Sequence, residues 1–500
     1  MTQRTVLAFA TLAALSAGTN YAFSSWAPQL ADRLHLSSKA TNLVGAAGNA
    51  GVYLSGPSLG MVVDRRGCRL VLSIAAATLF MGYLMLHAIY VGGETGPYRN
   101  WGLTGLVIGE LLTGVGSSAG LGAAVNGVSK SFSAQHRGAA VATVVAGFGL
   151  SAFLYSSLSR AVASSESDST STFLLLLAFG CGISMVLGSI FVRPVLPLSG
   201  ERKIGYSAVS TDEPVVGRSS SSRPSSPALD PVSSKPVPLS RTSPELDGSH
   251  IVERHRRSSS KERETFAGDL DVNGRALLVD ADFHVMFAFL GLCAGIGLMY
   301  LNNLGTIIVT LSHGTNLTPA QVSKAQAHLV SLLSICNCLG RLAVGFAGDW
   351  CSHHCPAEWR FPRIRWYMVV AAGFMASQVV AVLADSLDGW RGLFLPTAVV
   401  GLSYGALFSV SPVVCLERFG LPSFATNNGI LTLSPAVFGN LANAVFGYVY
   451  DSRVDEATPD GAHLCTLGRA CFAPAFYTTI LMSLCAFAAA VVLSSRRSMR

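Results

Sequence analysis

GMVVDRRGCR, residues 60–69, closes the second long apolar stretch of the chain, and an abbreviated echo, GRLAVGFAGD, residues 340–349, closes the eighth. Both contain a Gly-x-x-x-Asp turn, formed by Gly60 with Asp64 and again by Gly345 with Asp349. A turn that recurs in two halves of a multi-span chain signals an internal repeat, the construction of two-bundle membrane proteins that rock around a midplane site. The pattern points to a moving gate rather than a reaction centre.

Composition agrees. The 500 residues are 50% hydrophobic and 13% charged, with 50 glycines. Soluble domains carry about a quarter charged residues, and glycine is more frequent in membrane helices than in soluble ones. A soluble two-domain protein is excluded, and an integral membrane protein is implied.

Runs of about 20 apolar residues, enough to cross a hydrocarbon core roughly 30 Å thick, fall near 5–30, 40–63, 70–92, 101–128, 138–159 and 172–193, then near 282–311, 322–348, 366–385, 391–415, 424–450 and 473–494. The expectation is an all-α membrane protein with twelve transmembrane helices in two six-helix bundles, residues 1–193 and 281–500, joined by a linker at 194–280. The first run is too long for a signal-peptide core and reaches Pro28 without a small-x-small cleavage site, so it reads as a retained span.

Basic residues near the ends of the spans favour both termini in the cytosol, where Arg65, Arg66, Arg69, Arg363 and Arg365 would then lie. The sequon at Asn316 would face the lumen or the exterior. The linker is rich in Ser, Pro, Arg and Glu with few large apolar residues, so it cannot bury enough surface to order itself. Its charges nearly cancel, which places most of the net +7 at the membrane boundary and speaks for orientation rather than nucleic-acid binding. Within it, HIVERHRRSSSK, residues 250–261, sets Ser258 to Ser260 behind Arg256 and Arg257, a target for a kinase partner.

Most of the 11 cysteines lie inside apolar spans, where Cys packs as a small hydrophobe. Cys465 and Cys471 share the last non-cytosolic loop, and their spacing leaves both a disulfide and two free thiols open. Cys351, His353, His354 and Cys355 offer zinc-type donors, but adjacent donors strain a tetrahedral site, so no metal is expected.

The repeated turn has a physical rationale. Gly60 and Gly345 let neighbouring helices approach closely. Asp64 and Asp349 end their spans where a carboxylate can face the positive N-terminal end of a helix in the other half, with Arg65 and Arg69 at hand to pair with it. The fifth span, which follows Arg137 and Gly138, and the eleventh, which begins FATNNG at residues 424–429, would supply those helix ends.

These residues resemble the major facilitator superfamily, in which this loop latches the two halves on the cytosolic side and favours the outward-facing state. The resemblance implies that role for Asp64, Arg65, Gly67 and Arg69, with Asp349 as the second-half echo. GTNYAFSSWAPQLADRLHLS at 18–37, GNAGVYLSGPSLGMVVDRRG at 48–67 and FATNNG together look like the nodulin-like, monocarboxylate-transporter-like branch found in fungi. They resemble in particular the monocarboxylate-transporter homologues of that branch assigned to the vacuolar membrane, so the resemblance implies a vacuolar location, with the plasma membrane as the alternative. True monocarboxylate carriers place a Lys after a Pro in the first span and an Asp-x-x-x-Arg pair in the eighth. Here Gln29 follows Pro28, and Asn337 stands four residues before the retained Arg341, so two of the three charged parts are missing.

Glu110, well inside the fourth span, is the acid that could replace them. A carboxylate near mid-membrane is expensive unless protonated or paired, so it reads either as a proton or substrate site or as a neutral hydrogen-bonded packing group. Asn20, Tyr21, Asn49, Asn302, Asn303 and Asn337 come from helices that face the pathway in this fold and suit a small polar solute; singly, each could instead be interhelical glue. His284 reads as an interfacial residue rather than a relay.

The reading that follows is a secondary transporter of a small polar or carboxylated metabolite, with no cofactor, and with the solute and membrane lipid as its partners. A transporter-shaped sensor or scaffold controlled through the central loop is the alternative. No zincin or Walker sequence is present, so neither catalysis nor ATP hydrolysis is expected.

Overall fold

The computed structural model describes residues 2–36, 38–93, 102–162, 169–195, 271–312, 318–383, 391–453, 465 and 467–496. The central segment, with the kinase-type serines, and the Asn316 sequon lie outside the described residues. Met1–Pro197 and Ala267–Arg500 form one compact unit.

Among the described residues there is no strand, and ten helices are long and apolar enough to cross a membrane. The two remaining spans are present but divided. The first is α1 (Gln3–Ala17), a 3-10 helix (Gly18–Ser25) and α2 (Ala27–Arg33); the second is α3 (Ser38–Leu54) and α4 (Gly56–Arg66). Pro57 explains the second break: it has no N–H to donate and disfavours helical geometry at the residue before it, and the Ser55 hydroxyl turns back to the Gly51 carbonyl at 2.6 Å.

The first half continues with α5 (Cys68–Gly92), α6 (Gly102–Ser131), α7 (Arg137–Val162) and α8 (Ser169–Phe191). The short α9 (Gly274–Val279) leads into the second half, which holds α10 (Ala281–Ser312), α11 (Pro319–His353), α12 (Trp366–Leu383), α13 (Phe394–Phe419), α14 (Phe424–Leu431), α15 (Leu433–Asp451) and α16 (Ala473–Arg496). A Thr318 capping box with Pro319 in the first turn starts α11. The eleventh span divides between α14 and α15 at Thr432, whose hydroxyl bonds the Gly429 carbonyl at 2.7 Å, three residues ahead of Pro435.

Packing repeats between the halves. α6 packs on α3 and α5 as α13 packs on α11 and α12, and α5 lies on α8 as α12 lies on α16. Across the halves α4 meets α14, and its counterpart α11 meets α7. Exposed apolar side chains such as Met81, Phe179, Ile183, Leu441 and Leu481 stand on the outer faces, where lipid rather than water accommodates them.

Two local features depart from or complete the sequence reading. The last residues of the segment expected to lack order are docked: Val272 donates its main-chain N–H to the Phe419 carbonyl at 3.0 Å, and Leu277 is fully buried. One buried anchor among polar neighbours was enough to seat them. Cys465 and Cys471 are joined in a disulfide, and the first-half thiols Cys68 and Cys181 are buried and free.

The first and last described helices have their chain-terminal ends on one side. Gln3 bonds the carbonyl of Ser131 at 2.7 Å, at the end of α6, and Arg496 reaches Asp282 at 3.3 Å, at the start of α10. Asp64 and Asp349 stand on this same side, which we call the gate side.

Candidate functional site

Asp64 terminates α4 and reaches into the first turn of α14. Its carboxylate accepts from the main-chain nitrogens of Ala425 at 3.2 Å and Thr426 at 2.7 Å, and from the Thr426 hydroxyl at 2.8 Å. Asp349, near the end of α11, does the same to α7, accepting from Gly138 at 3.1 Å and Ala139 at 2.7 Å. In both cases an acid from one half satisfies the unpaired N–H groups at a helix N-terminus of the other half, where the helix dipole favours negative charge. The glycines make this approach feasible: a Cβ on Gly60 would overlap the Ala425 carbonyl, and one on Gly345 would overlap Ala142. Gly67, between α4 and α5, has φ +84°, which only glycine adopts without strain.

The charged partners differ from those expected. Arg65 and Arg69 are exposed and make no ion pair among the described residues. Asp64 is met instead by Lys130 at 3.7 Å and by the Asn126 amide at 3.3 Å, both from α6. Arg65, in the last turn of α4, and Arg69, in the first turn of α5, stand at exposed positions, whereas α6 packs alongside α4. Asp349 is met by Arg363, which donates from Nη2 at 2.5 Å, also pairs with Glu417, and reaches the Ala134 carbonyl of the first half at 2.8 Å. Arg363 is 6% exposed, a buried charge kept in place by two acids. Sequence reading placed it only as an orientation signal; the acid at Glu417, just past the tenth span, was the one hint of a charged partner.

His353 does not join a metal cluster. Its Nε2 lies 3.2 Å from Nη2 of Arg363, and His354 stacks on Trp350; among the described residues no group of His, Cys, Asp and Glu is placed to hold a metal.

On the far side of the bundle interface from the gate lies a cavity of about 410 Å³. Asn20, Asn49, Glu110 and Asn302 line it, together with Asn440 and Asn443 of α15. The last two were missed in the sequence, where amides at spacing three in an otherwise apolar run were the available signal. Asn303 stands behind the wall and donates to Asn443 at 3.0 Å. Of Tyr21 only its place in the 3-10 helix is described. Glu110 is 2% exposed, and its Oε2 has no hydrogen-bond partner among the described residues. Gly48 makes room for it: a Cβ there would stand 3.0 Å from the Glu110 carboxyl and 3.3 Å from the Asn20 amide. Both polar atoms of Asn20 are likewise buried without a partner.

Arg341 and Asn337 belong elsewhere. Arg341 lines a smaller, mostly apolar pocket of about 140 Å³ between the cavity and the gate, with Leu59, Gly60, Phe148 and Phe408. Its Nε donates to Asn337 at 3.0 Å, and its Nη1 bonds the Val145 carbonyl. Tyr53 lines both spaces. The residues grouped in the sequence as one site thus divide into a polar cavity around Glu110 and an apolar pocket around Arg341.

Two helical halves that lock crosswise at one face and enclose a polar cavity define a two-bundle membrane transport protein. The chain belongs to the Major Facilitator Superfamily, which it matches over residues 9–441. It is 28% identical to the probable transporter mch1 of Neurospora crassa over 94% of this chain and 85% of that one. It is 26% identical to an uncharacterized membrane protein of Saccharomyces cerevisiae over 93% and 90% of the two chains. Both relatives are fungal, in keeping with the branch suggested by residues 18–37 and 48–67. Among solved structures it is similar to a bacterial homologue of the iron transporter ferroportin in an outward-facing state, with a TM-score of 0.59, 14% identity and 99% of each chain covered. The proton:xylose symporter XylE gives a TM-score of 0.57 at 14% identity, over 96% of this chain and 95% of that one. At these identities the likeness concerns the fold alone.

Proposed function

We propose that the chain is a secondary transporter that moves a small polar or carboxylated metabolite by alternating access, with Glu110 as the proton or substrate site. One observation supports the reading: a polar cavity with a buried acid, one of whose oxygens has no partner among the described residues, lies on one side of two crosswise acid-to-helix locks at the other side. Asp64 and Asp349 are the gate acids, Lys130 and Arg363 hold them, and Gly60, Gly67 and Gly345 permit the close approach. Asn20, Asn49 and Asn302 face the solute; Arg341 and Asn337 receive it when it passes inward. We place the protein in the vacuolar membrane with both termini in the cytosol, which makes the gate side cytosolic. The deciding experiment is a metabolite-wide flux screen on proteoliposomes holding the full chain, with and without an imposed proton gradient. Gradient-dependent flux of a polar solute is the expected result; the absence of flux for every solute in both conditions would refute the proposal.

A further inference from the structure

We infer that the cavity beside Glu110 receives a solute bearing a protonated amine and turns away a bare monocarboxylate. The inference rests on reading that cavity as the solute site, and narrows the class of solute it takes.

The argument is one of charge and donor count. Among the described residues that line the cavity there is one acid, Glu110, and there are five asparagines, with no lysine or arginine. A buried carboxylate is stable when a proton or a cation compensates it, and no protein cation reaches this one: the Glu110 Oε2 meets no hydrogen-bond donor among the described residues. An ammonium group brings the missing charge together with three donors and no acceptor. One donor suits Glu110; the others suit amide oxygens such as that of Asn20, which is also without a partner.

A carboxylate entering the same space would meet Glu110 with like charge and find only neutral amide donors. The buried guanidinium that could serve an anion, Arg341, lies in the separate apolar pocket and already bonds Asn337 and the Val145 carbonyl. A neutral alcohol would fit the amides but would leave a bound proton as the sole compensation for Glu110. The structure therefore ranks amine first, alcohol second and carboxylate last.

The test uses the purified full chain in lipid nanodiscs at pH 7.5 and two matched trios of probes: serinol, glycerol and glycerate, then 4-aminobutan-1-ol, butane-1,4-diol and 4-hydroxybutyrate. Ligand that binds only the folded protein raises its unfolding midpoint. At least one amine should raise it by about 2 °C or more at millimolar concentration, with its alcohol and carboxylate counterparts producing less than half that shift. Glu110→Gln should abolish the amine shift. If that variant does not fold, Asn20→Ala combined with Asn440→Ala, both lining the same cavity, should reduce it. An alcohol or carboxylate shift equal to that of the amine, an amine shift retained in these variants, or no shift from either amine would overturn the inference. Amine stabilisation without flux in liposomes would count against the transporter reading alone, and flux of a monocarboxylate without any amine response would count against this inference alone.

Discussion

Asp64 accepts a hydrogen bond from the main-chain nitrogen of Thr426 at 2.7 Å although 362 positions separate the two in the chain. Asp349 and Ala139 repeat the relationship at 2.7 Å in the opposite sense, acid from the second half and helix end from the first. A carboxylate at a helix N-terminus contributes roughly 0.3–2 kcal/mol. Two such contacts would bias the molecule toward a closed gate side without making the bias irreversible, and a reversible bias is what the proposed alternating access requires.

Asp64→Asn keeps the shape of the side chain and removes its charge. A loss of about 1 kcal/mol would change the open-to-closed ratio about fivefold. A cysteine introduced at Leu59, in the inner pocket, should be alkylated correspondingly faster from the gate side. Equal labelling with and without the substitution would retire the lock.

Arg363→Gln should be the more severe change. It leaves the buried Asp349 and the half-buried Glu417 with their shared cation gone, and stripping one partner from a buried pair costs about 3–5 kcal/mol. Arg65→Gln, at an exposed position with no described ion pair, should stay within about 0.5 kcal/mol. Unfolding midpoints of the two variants in the same nanodiscs make the comparison, and a larger drop for Arg65→Gln would contradict the assignment of Arg363.

Gly60→Leu places atoms where the Ala425 carbonyl already sits, so α4 and α14 can no longer close together. The expected result is rapid gate-side labelling of a cysteine at Phe408. Gly447→Ala is the control, because a Cβ there meets nothing within 4 Å. Slow labelling in Gly60→Leu would mean that the gate closes elsewhere.

Glu110→Gln should abolish any pH dependence of transport while leaving the protein folded in the membrane, since the amide fills the same space without titrating. Flux measured between pH 5.5 and 7.5 in liposomes is the readout. A pH profile identical to that of the unmodified chain would take Glu110 out of proton handling.

Much of the architecture was legible because membrane thickness converts apolar run length directly into spans, and because acids ending those spans are conspicuous. Asp64, Asp349 and Glu110 could be picked out for that reason. Their partners were less legible. The receiving groups are main-chain N–H groups of residues 138, 139, 425 and 426, which no letter of the sequence advertises. Lys130 and Arg363 come from elements brought alongside only by the fold, and nearest neighbours in sequence, Arg65 and Arg69, were the wrong inference. Asn337 and Arg341 sit four apart on one helix and were read with the polar cavity; depth along α11 separates them from it, and depth is not recoverable from pattern alone. The divided first, second and eleventh spans were legible only as loose glycines and prolines.

Because the gate acids bind peptide nitrogens, the lock makes no demand on the side chains at positions 139 and 425. Any residue except proline supplies the same N–H, although the buried Ala425 leaves little room for a larger side chain. The vulnerability lies in the glycines that admit the close approach and in two carboxylates, where replacing one oxygen by an amide nitrogen is enough to weaken the lock.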